Sequence, residues 1–209
     1  MQSRRAEPYP DATPGARLNL REDHCIKMCM VQTMTRSPAL PAPDLSALAL
    51  AASKGGEQEF EALYRATVGL VHGLCLRLTA DPGLAEECVQ RTYIQAWRNL
   101  AGFRGDSAVT TWLHTIAVNE VRGHFRREKR HRESPAPAYA TVEPEDRSLA
   151  LERAIASLPD RARAVFVLVG IYGYSHQEVG TMLRIAVGTS KAHYHRARKA
   201  LIATLGDRP

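Results

Sequence analysis

From Gln58 onward, apolar residues recur at three- and four-residue steps, the spacing of one face of a helix. Phe60, Leu63, Tyr64, Val68, Val71, Leu74, Cys75 and Leu78 keep that step and predict a helix ending at Thr79. Asp81-Pro82 then supplies a cap and a first-turn proline for a second helix, whose early Glu86 and Glu87 suit a positive dipole end. Its apolar stripe is Ala85, Cys88, Val89, Thr92, Ala96 and Leu100, with Ile94 and Trp97 alongside. A third helix is predicted from Ser107, with Val109, Leu113, Ile116, Ala117, Val121 and Phe125 on one face. Thr110, Thr111, His114, Asn119 and Arg122 fall on the opposite, polar face, and Trp112 lies beside the seam. Three helices of this length with short connections make a small bundle.

The pattern stops between His131 and Arg147, where Pro135, Pro137 and Pro144 break helices and Glu133, Glu143, Glu145 and Asp146 add acid. Such a stretch reads as a flexible linker between two domains. Helical spacing resumes with Leu151, Ala154, Ile155 and Leu158, and Pro159 opens a helix through Val165, Phe166, Val169 and Ile171. Ser175 with Glu178 three residues on is a capping box. The short helix that it starts carries Val179, Met182 and Leu183, followed by a tight connection at Arg184-Ile185-Ala186. A last helix follows with Val187, Ser190, Tyr194, Ala197 and Leu201 inward. A short capped helix, a tight turn and a basic second helix spell helix-turn-helix. The expected fold is therefore all-α: two small helical domains joined by a flexible linker, the second ending in a helix-turn-helix. The boundaries are a disordered extension over 1–50, a first domain over 55–131, a linker over 132–147 and a second domain over 148–206.

Composition alters this picture in two places. Six of the twelve prolines lie between Pro8 and Pro43, and no sustained period runs there, so the segment cannot offset its ordering entropy. Met28, Met30 and Met34 within it are later possible starts. The formal charge of +6 points only mildly to an acidic partner, but its placement says more. Arg126, Arg127, Lys129, Arg130 and Arg132 end the third helix, and the chain from Pro159 to Pro209 holds eight Lys/Arg against three acids. A helix joining a buried stripe, a polar face, an aromatic residue and a cationic end suits gripping a polyanion while touching bases.

Other chemistries find little footing. Cys75 and Cys88 fall on apolar faces and read as reduced core cysteines. His24, Cys25 and Cys29 are close together but lack a fourth ligand of comparable spacing, so no metal or cofactor is expected. The eight histidines are scattered, and no glycine-rich phosphate loop or persuasive carboxylate pair argues for an enzyme. No apolar run approaches membrane-spanning length and no apolar segment follows Arg4-Arg5, which predicts a cytoplasmic protein without membrane insertion.

Four stretches together carry a family resemblance. They are Glu86-Glu87-Cys88-Val89-Gln90 with Ala96-Trp97-Arg98, and Phe103-Arg104-Gly105-Asp106-Ser107 with Thr111-Trp112-Leu113 and Ile116-Ala117-Val118-Asn119. The others are Ala154-Ile155, Leu158-Pro159 and Arg163-Ala164-Val165-Phe166, then Val187-Gly188-Thr189-Ser190-Lys191 with His195-Arg196-Ala197-Arg198-Lys199-Ala200-Leu201. In this order the chain resembles the sigma-70 family of bacterial transcription initiation factors, in particular its small extracytoplasmic-function (ECF) subgroup.

The resemblance implies partners and roles. Glu87, Gln90, Arg91 and Ile94 would dock on the bacterial RNA polymerase core enzyme. Phe103, Arg104, Gly105, Asp106, Ser107, Asn119, Arg122 and Arg126 would bind the minus-ten element of promoter DNA, trapping an unstacked base. Arg184, Thr189, Lys191, Ala192, His195, Arg196 and Arg198 would bind the minus-thirty-five element. An anti-sigma factor is the further partner that it implies. The chain departs from the family pattern at Arg91, usually acidic, at Arg184 and Ala186, usually glycine and proline, at Ser190, commonly apolar, and at His195. Arg184 must then adopt a positive φ, at about 1 kcal/mol, or the turn takes another form. The competing reading is a helix-turn-helix regulator acting without polymerase, which leaves the Phe103–Asn119 stretch unexplained.

Overall fold

A computed structural model describes residues 44–128 and 147–206, all within one compact unit. The expected linker over 132–147 falls, but for its last residue, outside the described residues, as do His24, Cys25 and Cys29. Eight α-helices make up the described part: α1 (Leu45–Ala52), α2 (Glu57–Thr79), α3 (Pro82–Asn99), α4 (Val109–Glu128), α5 (Arg147–Ala156), α6 (Asp160–Phe166), α7 (His176–Leu183) and α8 (Val187–Gly206).

Local chemistry sets the ends. Asp81 caps α3 by accepting from the Leu84 amide at 2.9 Å, with Pro82 in the first turn. The Ser175–Glu178 capping box forms in full at the start of α7. α6 continues into a π-turn at Val167–Ile171, where the Tyr172 amide reaches back to the Val167 carbonyl at 3.1 Å.

In the first domain α2, α3 and α4 pack mutually around Leu63, Leu74, Leu113, Ala117 and Val118, each essentially inaccessible to water. Cys75 and Cys88 are free and buried, and burial pushes their thiols up to about 12 and about 11, so they stay protonated core residues. Thr67 and Tyr93 satisfy each other at 2.8 Å inside the same core. In the second domain α6 and α8 pack together, with Phe166 stacked on Tyr194 at 5.9 Å and 18°.

Three expectations need correction. The order that was to begin near Gln58 begins earlier: Asp44 caps α1, and Leu45, Leu48, Ala49 and Ala52 pack on Leu63, Leu100, Phe103 and Val109. This helix is eight residues long and apolar at every position but Ser46, so it carries no helical period to read. His114, assigned to the polar face of α4, is buried at 6% exposure. Val187, assigned inward, is 41% exposed: it is the first residue of α8, where only part of the side chain is covered.

The two domains also touch, a relation invisible to helical periodicity. Arg77 on α2 places Nε and Nη2 at 3.0 and 2.7 Å from Glu152 Oε1 on α5. Arg163 on α6 donates to the Leu78 and Thr79 carbonyls at the end of α2. Tyr174 Oη lies 2.8 Å from His114 Nδ1, and Arg122 Nη1 donates to the Met182 carbonyl of α7 at 3.0 Å.

Candidate functional site

Three surfaces carry the expected functional residues. The first is the outer face of α3, where Glu87, Gln90 and Ile94 are exposed at helical spacing. Arg91 is half-buried and paired with Glu87 one turn back, so the basic residue at the usually acidic position neutralises its own neighbour. Trp97 extends this face: it is 43% exposed beside Ile94 at 51%, with its ring 4.9 Å from Phe60. Tyr64 from α2, 40% exposed, stands edge-on to Tyr93 at 4.7 Å. The sequence reading placed Trp97 alongside the apolar stripe. Its spacing of three from Ile94 was the available signal that it shares the outward face.

The second surface is the turn before α4. Arg104, Gly105, Asp106 and Ser107 are exposed, and Gly105 takes φ +80°, a left-handed conformation that suits glycine. Phe103 does not join them: it is 7% exposed and packs on Trp112 at 5.3 Å. Phe103 therefore anchors the turn, and Trp112 is spent on that packing. Along α4, Asn119 is exposed, and its Oδ1 accepts from Arg122 at 3.3 Å. Arg126 is exposed one turn further on.

The third surface is the helix-turn-helix. Its tight crossing depends on Gly180, where an added Cβ would stand 2.9 Å from the Ile185 carbonyl oxygen. Arg184 takes φ 53°, the positive value that its turn position required. Ser190 is wholly buried and lies 2.9 Å from His176 Nδ1, so its hydroxyl is satisfied where the family commonly places an apolar side chain. This locks α8 against α7. Arg184, Thr189, Lys191, Ala192, His195 and Arg196 are exposed, and Arg198 is half-buried. Arg196 Nη2 lies 3.3 Å from His193 Nδ1, and burial, then Arg196 and Arg161, lower the affinity of His193 for a proton.

Between the second and third surfaces sits His114. Tyr172 stands edge-on to its ring at 5.0 Å, and its Nε2 has no hydrogen-bond partner among the described residues. Burial holds its pKa down at about 4, against an ordinary 6.5, so the ring is neutral. The folded form thus binds fewer protons here than the unfolded chain. This contribution is complete above pH 6.5 and is lost as pH falls toward 4. Between pH 7.5 and 4.5 the native chain is expected to lose about 2–3 kcal/mol more stability than His114→Gln, which carries no charge at either pH. Urea midpoints at the two values check this; equal losses would exclude a neutral buried ring.

Among the described residues no helix is long and apolar enough to cross a membrane, and no group of three His, Cys, Asp or Glu is placed to hold a metal ion. Sequence comparison matches residues 63–131 to Sigma-70 region 2 and residues 148–201 to Sigma-70, region 4. The ECF RNA polymerase sigma factor SigM of Mycobacterium tuberculosis is 33% identical over 162 residues, covering 75% of this chain and 83% of that protein. SigW of Bacillus subtilis, also an ECF RNA polymerase sigma factor, is 31% identical over 173 residues, covering 74% and 92%. In structure, the sigma factor RpoE of Bartonella quintana, solved with the anti-sigma factor NepR, superposes with a TM-score of 0.57 at 26% identity, covering 72% of this chain and 99% of that one. CnrH, solved with the cytosolic domain of CnrY, gives 0.56 at 25% identity, covering 78% and 98%. With both conserved regions in order, the turn before α4 and the helix-turn-helix in place, this chain belongs to the ECF group of sigma-70 family RNA polymerase sigma factors.

Proposed function

We propose that this sigma factor binds core polymerase through the outer face of α3, captures minus-ten bases with the turn before α4, and reads the minus-thirty-five element with α8. The observation that carries the reading is selective exposure. Arg104–Ser107, Asn119 and the residues of α8 from Lys191 to Arg196 that match base-facing positions stand out from helices whose other faces are buried. Phe103 supports the turn from below and does not contact DNA. Arg126 holds phosphate, which adds affinity without sequence information.

The α3 face includes Trp97 and Ile94, an aromatic and an aliphatic side chain of the kind that dominates interface energetics. Docking through them is the property that a regulator working without polymerase lacks. The pair Ile94→Glu with Trp97→Ala is expected to reduce retention on immobilised bacterial core polymerase at least about tenfold, while leaving minus-thirty-five duplex binding unchanged. Run-off transcription with that core enzyme on a genomic promoter library, followed by sequencing of transcript starts, tests the whole assignment. Specific starts that vanish with the pair support it. Duplex binding without any polymerase retention returns the protein to the regulator class.

The structural neighbours RpoE and CnrH were solved with NepR and with CnrY. By that analogy this chain also takes an anti-sigma factor, across its polymerase- and DNA-facing surfaces. Such a protein works where polymerase works, in the cytoplasm.

A further inference from the structure

Cations from four helices meet beside the end of α7. Arg122 on α4 donates through Nη1 to the Met182 carbonyl at 3.0 Å and to Asn119 Oδ1 at 3.3 Å. Arg184, two residues past Met182, is the exposed left-handed cap of α7. Arg161 is exposed on the first turn of α6, the helix whose Phe166 stacks on Tyr194 of α8. Beside Tyr194, His193 pairs with Arg196. Arg161 lies close enough to act on Arg122 on one side and on His193 on the other.

Among the described residues, no carboxylate is included in the charges that act on Arg122 or His193. After burial, those acting on Arg122 are Arg184, Arg126 and Arg161, and those acting on His193 are Arg196 and Arg161. The acids of α6 and α7 are engaged elsewhere: Asp160 pairs with Arg163 at 2.8 Å, and Glu178 accepts from the Ser175 amide at 2.8 Å. Guanidinium groups stay charged across the working pH range, so like charges gathered here repel. An anion carrying several charges would turn that repulsion into attraction.

The donors narrow the class of anion. Both hydrogen bonds of Arg122 use Nη1, so its Nε–Nη2 edge, a fork that fits oxyanions, carries no bond to the described residues. The cations facing it are arginines, whose planar groups meet phosphate oxygens in pairs. An acidic peptide spreads its charges one to a residue, whereas a phosphate chain concentrates them within the reach of guanidinium groups from three helices.

We propose that Arg122, Arg161 and Arg184 form a binding site for a short phosphate chain, free or carried by a nucleotide, at the junction of α4, α6 and α7. Its occupancy competes with promoter DNA, because Arg122 and Arg184 also belong to the minus-ten and minus-thirty-five surfaces. That competition rests on the assignment of those surfaces; the binding itself does not.

Isothermal titration of the full chain with sodium tripolyphosphate tests the site, beside ATP and sodium sulfate at equal ionic strength. Tripolyphosphate is expected to bind at least about tenfold more tightly than sulfate. Arg161 is assigned neither to DNA nor to polymerase, and Arg161→Gln is expected to weaken tripolyphosphate about tenfold, with Arg161→Lys recovering part of the loss. Lys54→Gln makes the same change of charge in the exposed turn between α1 and α2, and should cost less than about twofold. Equal affinity for ATP shows that the phosphate chain alone is recognised, and tighter binding of ATP adds a nucleoside contact; both support the site. Equal weakening by the two glutamine variants, or sulfate binding as well as tripolyphosphate, reduces the cluster to a diffuse positive surface and overturns it. Displacement of the minus-thirty-five duplex by tripolyphosphate from the parent but not from Arg161→Gln supports the competition. Tripolyphosphate binding by a protein that yields no specific transcripts overturns the promoter assignment, and the competition with it, while the site stands.

Discussion

Replacing Arg163 with methionine is expected to lower the unfolding free energy by about 2–4 kcal/mol, an effect usually reserved for a large core truncation. The side chain is 6% exposed, and all three guanidinium nitrogens donate hydrogen bonds. Nε donates to the Leu78 carbonyl at 3.1 Å, and Nη1 to the Ala156 and Leu158 carbonyls at 2.8 and 3.3 Å. Nη2 reaches the Thr79 carbonyl at 3.5 Å and Asp160 at 2.8 Å. Leu78 and Thr79 end α2, where carbonyls lack intrahelical partners and the helix dipole is negative. Ala156 likewise ends α5. One cation thus satisfies the ends of two helices from different domains. Methionine keeps the volume of the stem but strands these carbonyls. The methionine also relieves the burial of a charge, which is why the expected loss stops short of a larger figure. Lysine, with three donors around a point charge, should recover only part of the loss. Urea denaturation of the three proteins orders them Arg, Lys, Met; a methionine variant within about 0.5 kcal/mol of the parent would show that water replaces the guanidinium at every carbonyl.

Arg163 also shows where sequence reasoning ends. Its place in an Arg-Ala-Val-Phe stretch was legible, and so were the features set by neighbours in the chain: the Asp81-Pro82 cap, the Ser175–Glu178 box, the positive φ of Arg184. Each depends on residues within four positions of one another. Its bonds to Ala156, Leu158 and Asp160 are local, but those to the Leu78 and Thr79 carbonyls join residues 85 and 84 positions apart, and no local period encodes that. His114 failed for a related reason. A single hydrophobic stripe assumes one buried face, whereas α4 buries Leu113 and Ala117 against α2 and α3, and His114 against the tyrosines preceding α7. That second face is lined by polar and aromatic groups, which a count of apolar positions assigns to water. Phe103 erred in the opposite sense: its place within an exposed turn motif suggested DNA, while its ring belongs to the core beneath. Exposure within a motif alternates with burial, so a motif identifies a surface more securely than it identifies every contact on it.

The recognition helix offers the sharpest functional test of that surface. Arg196→Ala is expected to weaken binding to the cognate minus-thirty-five duplex by about 10- to 100-fold, corresponding to roughly 1–3 kcal/mol for a lost bidentate base contact. The side chain is exposed on α8 beside Lys191, Ala192 and His195, and His193 Nδ1 at 3.3 Å positions its guanidinium. Burial and the positive charge of Arg196 itself oppose protonation of His193, so at neutral pH that nitrogen is free to accept from Arg196. The guanidinium is therefore partly oriented before DNA arrives, which reduces the rotamer entropy lost on binding. Lysine at 196 keeps the charge but lacks the planar fork, and should restore general affinity without restoring base preference. Arg198→Ala, at a position suited to phosphate, should instead weaken all duplexes alike and lower the salt dependence by about one unit of slope. Competition against duplexes altered one base pair at a time separates the two behaviours. A substitution at 196 that costs every sequence equally would reassign Arg196 to the backbone and move the base-reading role to Lys191 and His195, the neighbours left on the same exposed face.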